Sequence, residues 1–303
     1  MKRMNLLFIG GRRGGKTTFV TRTLREAFTN VPSWLNLRFS LQGTAIPGAL
    51  EGNLQALARG VAPGPMHAAA DFEVCRVRVR KKRIFWFSVV MDLLRRIFLW
   101  KPMTEVGGVL IHVYEMSVEN PHLGQWLLDH SAPQTPLGVV LIADPFAVGK
   151  TCESRHEPTV SAVVDRLVER FEQIYVSNPE KRLPVSAAVV VTKAESFPQF
   201  QTGFRRYVDS TTLLASRRAL GDADEMLPDS YLLDGLLKRQ SEEVEEELDR
   251  YDGNFTNILQ NEFRRVGCFW SGNASESEPK GDFCRMTSPI LPLLWLLGEE
   301  MEF

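Results

Sequence analysis

The chain has 303 residues, 44% of them apolar and 24% charged, with 36 basic side chains against 37 acidic ones. A balance this even excludes the broad basic field that draws a protein onto nucleic acid, while the apolar share allows a sizeable core. The four cysteines, Cys75, Cys152, Cys268 and Cys284, form no C-x-x-C pair and suit a reducing compartment.

In chain order, the first element is a short buried strand over Asn5 to Gly10. Its apolar run, Leu6 to Ile9, is too short for a signal peptide, so a cytoplasmic protein is expected. Next comes Gly10-Gly11-Arg12-Arg13-Gly14-Gly15-Lys16-Thr17, which fits G-x-x-x-x-G-K-[ST]. A helix follows over Thr17 to Phe28, with Phe19, Val20, Leu24 and Phe28 near one face. Strand, glycine loop and helix together form the phosphate cradle of nucleoside-triphosphate-binding proteins. The glycines let backbone N–H groups turn toward phosphate oxygens at the positive end of the helix dipole. Gly10, Gly14, Gly15, Lys16, Thr17 and Thr18 are the phosphate-side candidates, with Lys16 reaching the β- and γ-phosphates and Thr17 offering its hydroxyl to Mg²⁺.

Further strands are expected at Phe72 to Arg80, which alternates, and at Val106 to Tyr114. Leu137 to Asp144, Pro184 to Val191 and Val266 to Trp270 complete the set, and Ser288 to Leu297 reads as a closing helix. The expectation is an α/β fold: one domain over 1–303 in three layers, with a mostly parallel six-stranded sheet and helices on both faces. Gly149-Lys150-Thr151 repeats part of the loop motif, but Asp144 stands where its first glycine is needed, so it reads as an ordinary loop.

Four pieces, GGRRGGKT, VYEMSVE, VVVTKAES and CFWSGNA, occur in the order found in the translation-factor-related class of GTPases, which includes the Ras-like proteins, and the chain resembles that class. More narrowly, LIADPF and PLLWLL look like the bacterial double-GTPase-type group, some of whose members act in multi-gene conflict or signalling systems. The resemblance implies GTP or GDP with Mg²⁺. It implies that Thr192, Lys193 and Glu195 read guanine, with Glu195 where aspartate is usual, and that Ser271 lies in a base-contacting loop. It implies Glu115 as the acid serving the metal, with Val118 where a glycine N–H usually senses the γ-phosphate; a valine there is expected to crowd that approach and slow turnover. Glu119 or Gln125 is a candidate for orienting water. Asp144, an acid ending an apolar strand, is the rival metal ligand in an ATPase reading. Thr44 is the candidate switch threonine that closes over Mg²⁺.

Arg12 and Arg13 admit two readings. Arginine beside a transferring phosphoryl group is worth about three to five orders of magnitude in rate, in place or across a nucleotide-bridged dimer. Alternatively both face solvent or pair with acids. Two insertions exceed a compact GTPase: about 81–105, whose 81–101 portion reads as a basic, aromatic helix fit for a partner groove or a membrane interface, and 196–265, helical and acidic. The expected partners are proteins or a second copy, with peripheral contact to the inner membrane through the first insertion, and no nucleic acid.

Overall fold

The computed structural model describes residues 2–11, 14–29, 37–42, 48–66, 68–76, 106–130, 136–143, 160–174, 182–194, 229–251, 255–272 and 289–301. Arg12, Arg13, Thr44, Asp144, Glu195 and the 81–101 helix lie outside the described residues.

Strand β1 (Lys2–Gly10) is buried from Met4 onward, on both of its faces, and this is why its Leu-Leu-Phe-Ile run does not alternate. It lies between β4 (Val106–Ser117) and β5 (Leu137–Ala143) and is parallel to both. Beyond β5 come β6 (Leu183–Val191) and β7 (Phe263–Trp270), also parallel. On the other side β3 (Ala68–Arg76) pairs antiparallel with β4, and β2 (Leu37–Leu41) pairs antiparallel with β3. Among the described residues the sheet thus has seven strands, in the order β2-β3-β4-β1-β5-β6-β7.

The α/β class and the mostly parallel sheet match expectation, but three details do not. The strand at Leu37–Leu41 is additional, so the sheet has seven strands and not six. Strand β3 begins at Ala68, four residues before its alternating stretch placed it, and is described to Arg76. Strand β4 runs on to Ser117, so Glu115 sits within a strand and not after one.

Helix α1 (Lys16–Thr29) buries Phe19, Val20, Leu24 and Ala27 on one face. Helix α2 (Gly48–Ala58) leans on α1, and α3 (Leu123–His130) packs beside α4 (Val160–Ile174). Helices α5 (Asp229–Tyr251) and α6 (Phe255–Glu262) lie against β7, and α7 (Leu291–Met301) packs on β6 and β7. No helix among the described residues is long and apolar enough to cross a membrane.

Edge strand β7 would present unpaired N–H groups, and α5 covers one of them. The Cys268 N–H donates to Ser241 Oγ at 2.9 Å, and Ser241 Oγ in turn donates to Glu245 Oε1 at 2.8 Å. Gln260 Nε2 reaches the other Glu245 oxygen at 3.1 Å. Burial pushes the Glu245 carboxyl above its ordinary 4.5, against the hydrogen bond from Ser241, which pulls it down. The folded chain therefore holds this proton more tightly than the unfolded chain, and stability falls as pH rises from 4.5 through the raised value. Glu245→Gln should raise the melting temperature at pH 7 by a few degrees, with the gap closing as the pH is lowered toward 4.5; thermal melts across that range check it.

Candidate active site

The loop leaves β1 at Gly10, level with Ile142 on β5. A Cβ at Gly10 would stand 2.4 Å from the Ile142 carbonyl oxygen, so only glycine lets the two strands approach this closely here. Gly15 has φ +82°, a left-handed turn that aims the chain into α1 at Lys16. The Lys16 Nζ folds back and donates to Gly11 O at 2.6 Å, holding its ammonium over the loop at the N-terminal end of α1. Amide groups, helix dipole and cation therefore share one place, which is the chemistry of an anion site.

Strand β4 brings the acid. Glu115 pairs with Phe8 of β1 and is 6% exposed, and its Oε1 accepts a hydrogen bond from Thr17 Oγ1 at 2.5 Å. The two residues are 98 positions apart in the chain, and the parallel pairing of β1 with β4 is what brings them together. Burial lowers the Lys16 ammonium below its ordinary value, while the negative charges of Glu115 and Glu119 raise it in part.

The donors present fit a magnesium ion: a hydroxyl and a carboxylate, hard oxygens beside a phosphate cradle. Among the described residues no group of three or more His, Cys, Asp or Glu side chains is placed to hold a metal. That suits Mg²⁺, which takes one or two carboxylates and completes its shell with water and substrate phosphate. Thr17 and Glu115 are the residues that would hold it.

Val118 does not stand where a crowding side chain was expected. Its side chain is 7% exposed and belongs to the core, and its N–H points at the loop, donating to Gly10 O at 3.4 Å.

On the other side of the loop, Thr192 follows β6. Its hydroxyl lies 2.9 Å from Gly14 O and 3.3 Å from Ala143 O, and its N–H donates to Ala143 O at 2.9 Å. Thr192 thus ties the end of β6 both to the phosphate loop and to the end of β5. Lys193, at φ 55°, takes a left-handed turn directly after it. Ser271 is buried, and its N–H donates to Val191 O at 2.8 Å, which sets the residue after β7 beside Thr192. Lys16, Thr17 and Glu115 meet on one side of the loop, with Thr192, Lys193 and Ser271 on the other.

The two water-orienting candidates differ in their surroundings. Gln125 is exposed on α3 and donates to Asp129 Oδ1 at 2.9 Å, as neighbours one helical turn apart do. Glu119 is exposed, and its negative charge raises the Lys16 ammonium. The tie from Thr192 to Gly14 went unforeseen, because nothing local in sequence signals a side chain bonding a carbonyl 178 residues away.

A scan of family models finds no match to this chain, and a search of curated proteins finds none either. Among solved structures, the signal recognition particle receptor SRb-GTP/SRX complex of Chaetomium thermophilum is 12% identical, covering 94% of this chain and 97% of that one at a TM-score of 0.37. The SAR1 small COPII coat GTPase of Encephalitozoon cuniculi with GDP is 11% identical, covering 100% and 84% at 0.30. The G domain of the T. maritima FeoB iron transporter is 12% identical, covering 62% and 72% at 0.20. At identities and TM-scores this low, the likeness assigns neither ligand nor activity to this chain.

Proposed function

We propose that the chain binds a guanine nucleoside triphosphate with Mg²⁺ on a three-layer, Ras-like P-loop fold, hydrolyses it slowly, and acts as a switch in a bacterial multi-component system. One observation supports this above the rest: Lys16 and Thr17 of the glycine loop meet Glu115 of β4, with Thr17 Oγ1 and Glu115 Oε1 at 2.5 Å. A phosphate cation, a metal-binding hydroxyl and a metal-binding acid then share one corner of the sheet.

In this reading the loop amides and Lys16 bind and orient the β- and γ-phosphates, and Thr17 and Glu115 hold the metal. When bound, Mg²⁺ supplies neutralising charge to the phosphate oxygens. Thr192 holds the loop in register and Lys193 with Glu195 reads the base. Gln125 is engaged with Asp129 and is not held to orient a water, which accords with slow turnover. Arg12 and Arg13 are the residues to supply transition-state charge, in place or across a homodimer. The 81–101 segment is the proposed contact to a protein partner or the inner membrane surface, and the cytoplasm the proposed location.

A second reading, a nucleotide-held scaffold that scarcely cleaves its ligand, is favoured by Val118, whose amide is engaged with Gly10 O and whose side chain is anchored in the core.

The test is a paired titration with GTP and ATP analogues plus Mg²⁺, followed by phosphate release on whichever binds. Selective GTP binding lost in Glu195→Ala is expected. Preference for ATP, or indifference to the base, would sink the guanine assignment and make Asp144 the acid to probe.

A further inference from the structure

We infer that the outer edge of β2 is a self-association surface, where β2 of a second copy pairs antiparallel about a two-fold axis at Phe39. Unlike the nucleotide site, this surface needs no ligand to form.

The two ends of the sheet are finished differently. At β7 the helix α5 lies alongside, and Ser241 takes the Cys268 N–H. Beyond β2, among the described residues, no further strand follows, and its pairing with β3 has no bulge. Nor does Leu37–Leu41 carry a lysine or a proline, two usual guards of an open edge.

One bond tells which backbone groups face outward. The Gln42 N–H donates to Asp71 O at 3.0 Å, and the register of β2 with β3 sets these two residues opposite each other. Such a bond marks a hydrogen-bonded pair, and in an antiparallel ladder these alternate with non-bonded pairs. Counting back along β2, Ser40 and Arg38 turn their N–H and C=O groups toward Glu73 and Cys75 of β3. Leu37, Phe39 and Leu41 turn theirs to the open edge. These three are also the apolar residues of the strand, and each is half-buried against the core. Phe39 lies 5.9 Å from Phe72, which meets Phe28 of α1 edge-on at 5.8 Å.

A two-fold axis at Phe39 suits this strand. It sets Leu37 opposite Leu41 of the partner subunit, Phe39 opposite its own copy, and Arg38 opposite Ser40 of the partner subunit. All three outward-facing residues then form hydrogen-bonded pairs, with none left over. No like charges stand directly opposite across the axis, and the ring series Phe28, Phe72, Phe39 continues into the second copy. That self-matched register favours a second copy over a foreign strand. The same strand serves both sides, so the contact closes at two and does not run on into a fibre. Five residues a side bury less than the ~1,200 Å² of a standard interface, so the dimer is weak, with Kd on the order of 10–100 μM.

Sedimentation equilibrium on the full chain without nucleotide, from about 1 to 500 μM, should show a monomer and dimer in exchange. A monomer throughout overturns the surface, and so does a dimer that appears only with nucleotide and Mg²⁺, since the ligand then bridges it. Charge at position 40 tests the register. Ser40→Arg sets like charges opposite Arg38 twice per dimer while facing Glu73 in its own sheet, so the dimer should weaken about 2- to 30-fold with no loss of melting temperature. Ser40→Glu sets an acid against the same Arg38 and should tighten the dimer. Equal dimerisation by the two variants overturns the register. Cross-linking gives a second measure, in a background with Cys152 and Cys284 replaced by serine; Cys75 and Cys268 are buried. Mild oxidation should join Phe39→Cys, whose opposed Cα atoms stand about 5.5 Å apart, and spare Ser40→Cys, at about 8 Å from its copy. Equal cross-linking at both positions overturns the register as well. If melting curves show that Phe39→Cys has lost its fold, the Ser40→Arg and Ser40→Glu pair decides.

Discussion

Replacing Lys16 with alanine should weaken triphosphate binding by two orders of magnitude or more while leaving the empty protein as stable as before, or more so. A charge-assisted hydrogen bond contributes about 1.5–3 kcal/mol, and a lysine reaching two phosphate groups makes about two of them, or roughly 10²- to 10⁴-fold in affinity. In the empty protein the same ammonium is a burden, because burial lowers it from its ordinary value while it donates to Gly11 O at 2.6 Å. The folded chain therefore binds fewer protons than the unfolded one between the lowered value and 10.5, and stability rises with pH through that window. Alanine removes that rise. A fluorescent-nucleotide titration with melts at pH 7 to about 10 reads both effects. Binding within threefold of the parent would mean that the loop is not a phosphate cradle.

Gly10→Ala should be the most damaging single methyl in the site, and Gly11→Ala its harmless neighbour. At Gly10 the added Cβ would meet the Ile142 carbonyl oxygen at 2.4 Å, a backbone atom of the adjoining central strand that cannot turn away. Beta strands β1 and β5 must part at the base of the loop, at a cost of about 1–3 kcal/mol for overpacking and a drop of several degrees in melting temperature. Nucleotide affinity should fall with it, because Gly10 O also receives the Val118 N–H at 3.4 Å and the loop would lose that register. At Gly11 an added Cβ meets nothing within 4 Å and the backbone is not left-handed, so the fold should hold. Melting curves and a nucleotide titration on both variants settle the comparison; equal melting would place the tight approach elsewhere.

Whatever was local and strongly patterned could be read from the sequence. The phosphate loop, α1, β5 and β6 announce themselves through glycine spacing, helical periodicity and unbroken apolar runs. Strand β2 did not, because Leu37–Leu41 is only five residues long and half-exposed at an edge. Helix α2 did not, because GALEGNLQALA carries two helix-weakening glycines in eleven residues. Glu115 was named as the acid serving the metal, and its pairing with β1 follows from a parallel sheet, yet its place inside β4 depends on a register that sequence does not reveal. The Thr192 tie to Gly14 is a product of tertiary contact, and no spacing rule points to it.

The central place of β1 also sets a timetable for synthesis. Its two neighbours are β4 and β5, so the first strand has both partners only once residue 143 has been made. At about 5–20 residues per second the apolar β1 waits roughly 7–30 s in the nascent chain, a window in which a chaperone would find it. The bond from Thr192 that steadies Gly14 comes later still. The glycine loop thus takes its working shape only after residues 178 positions further along have been made, and nucleotide capture follows them.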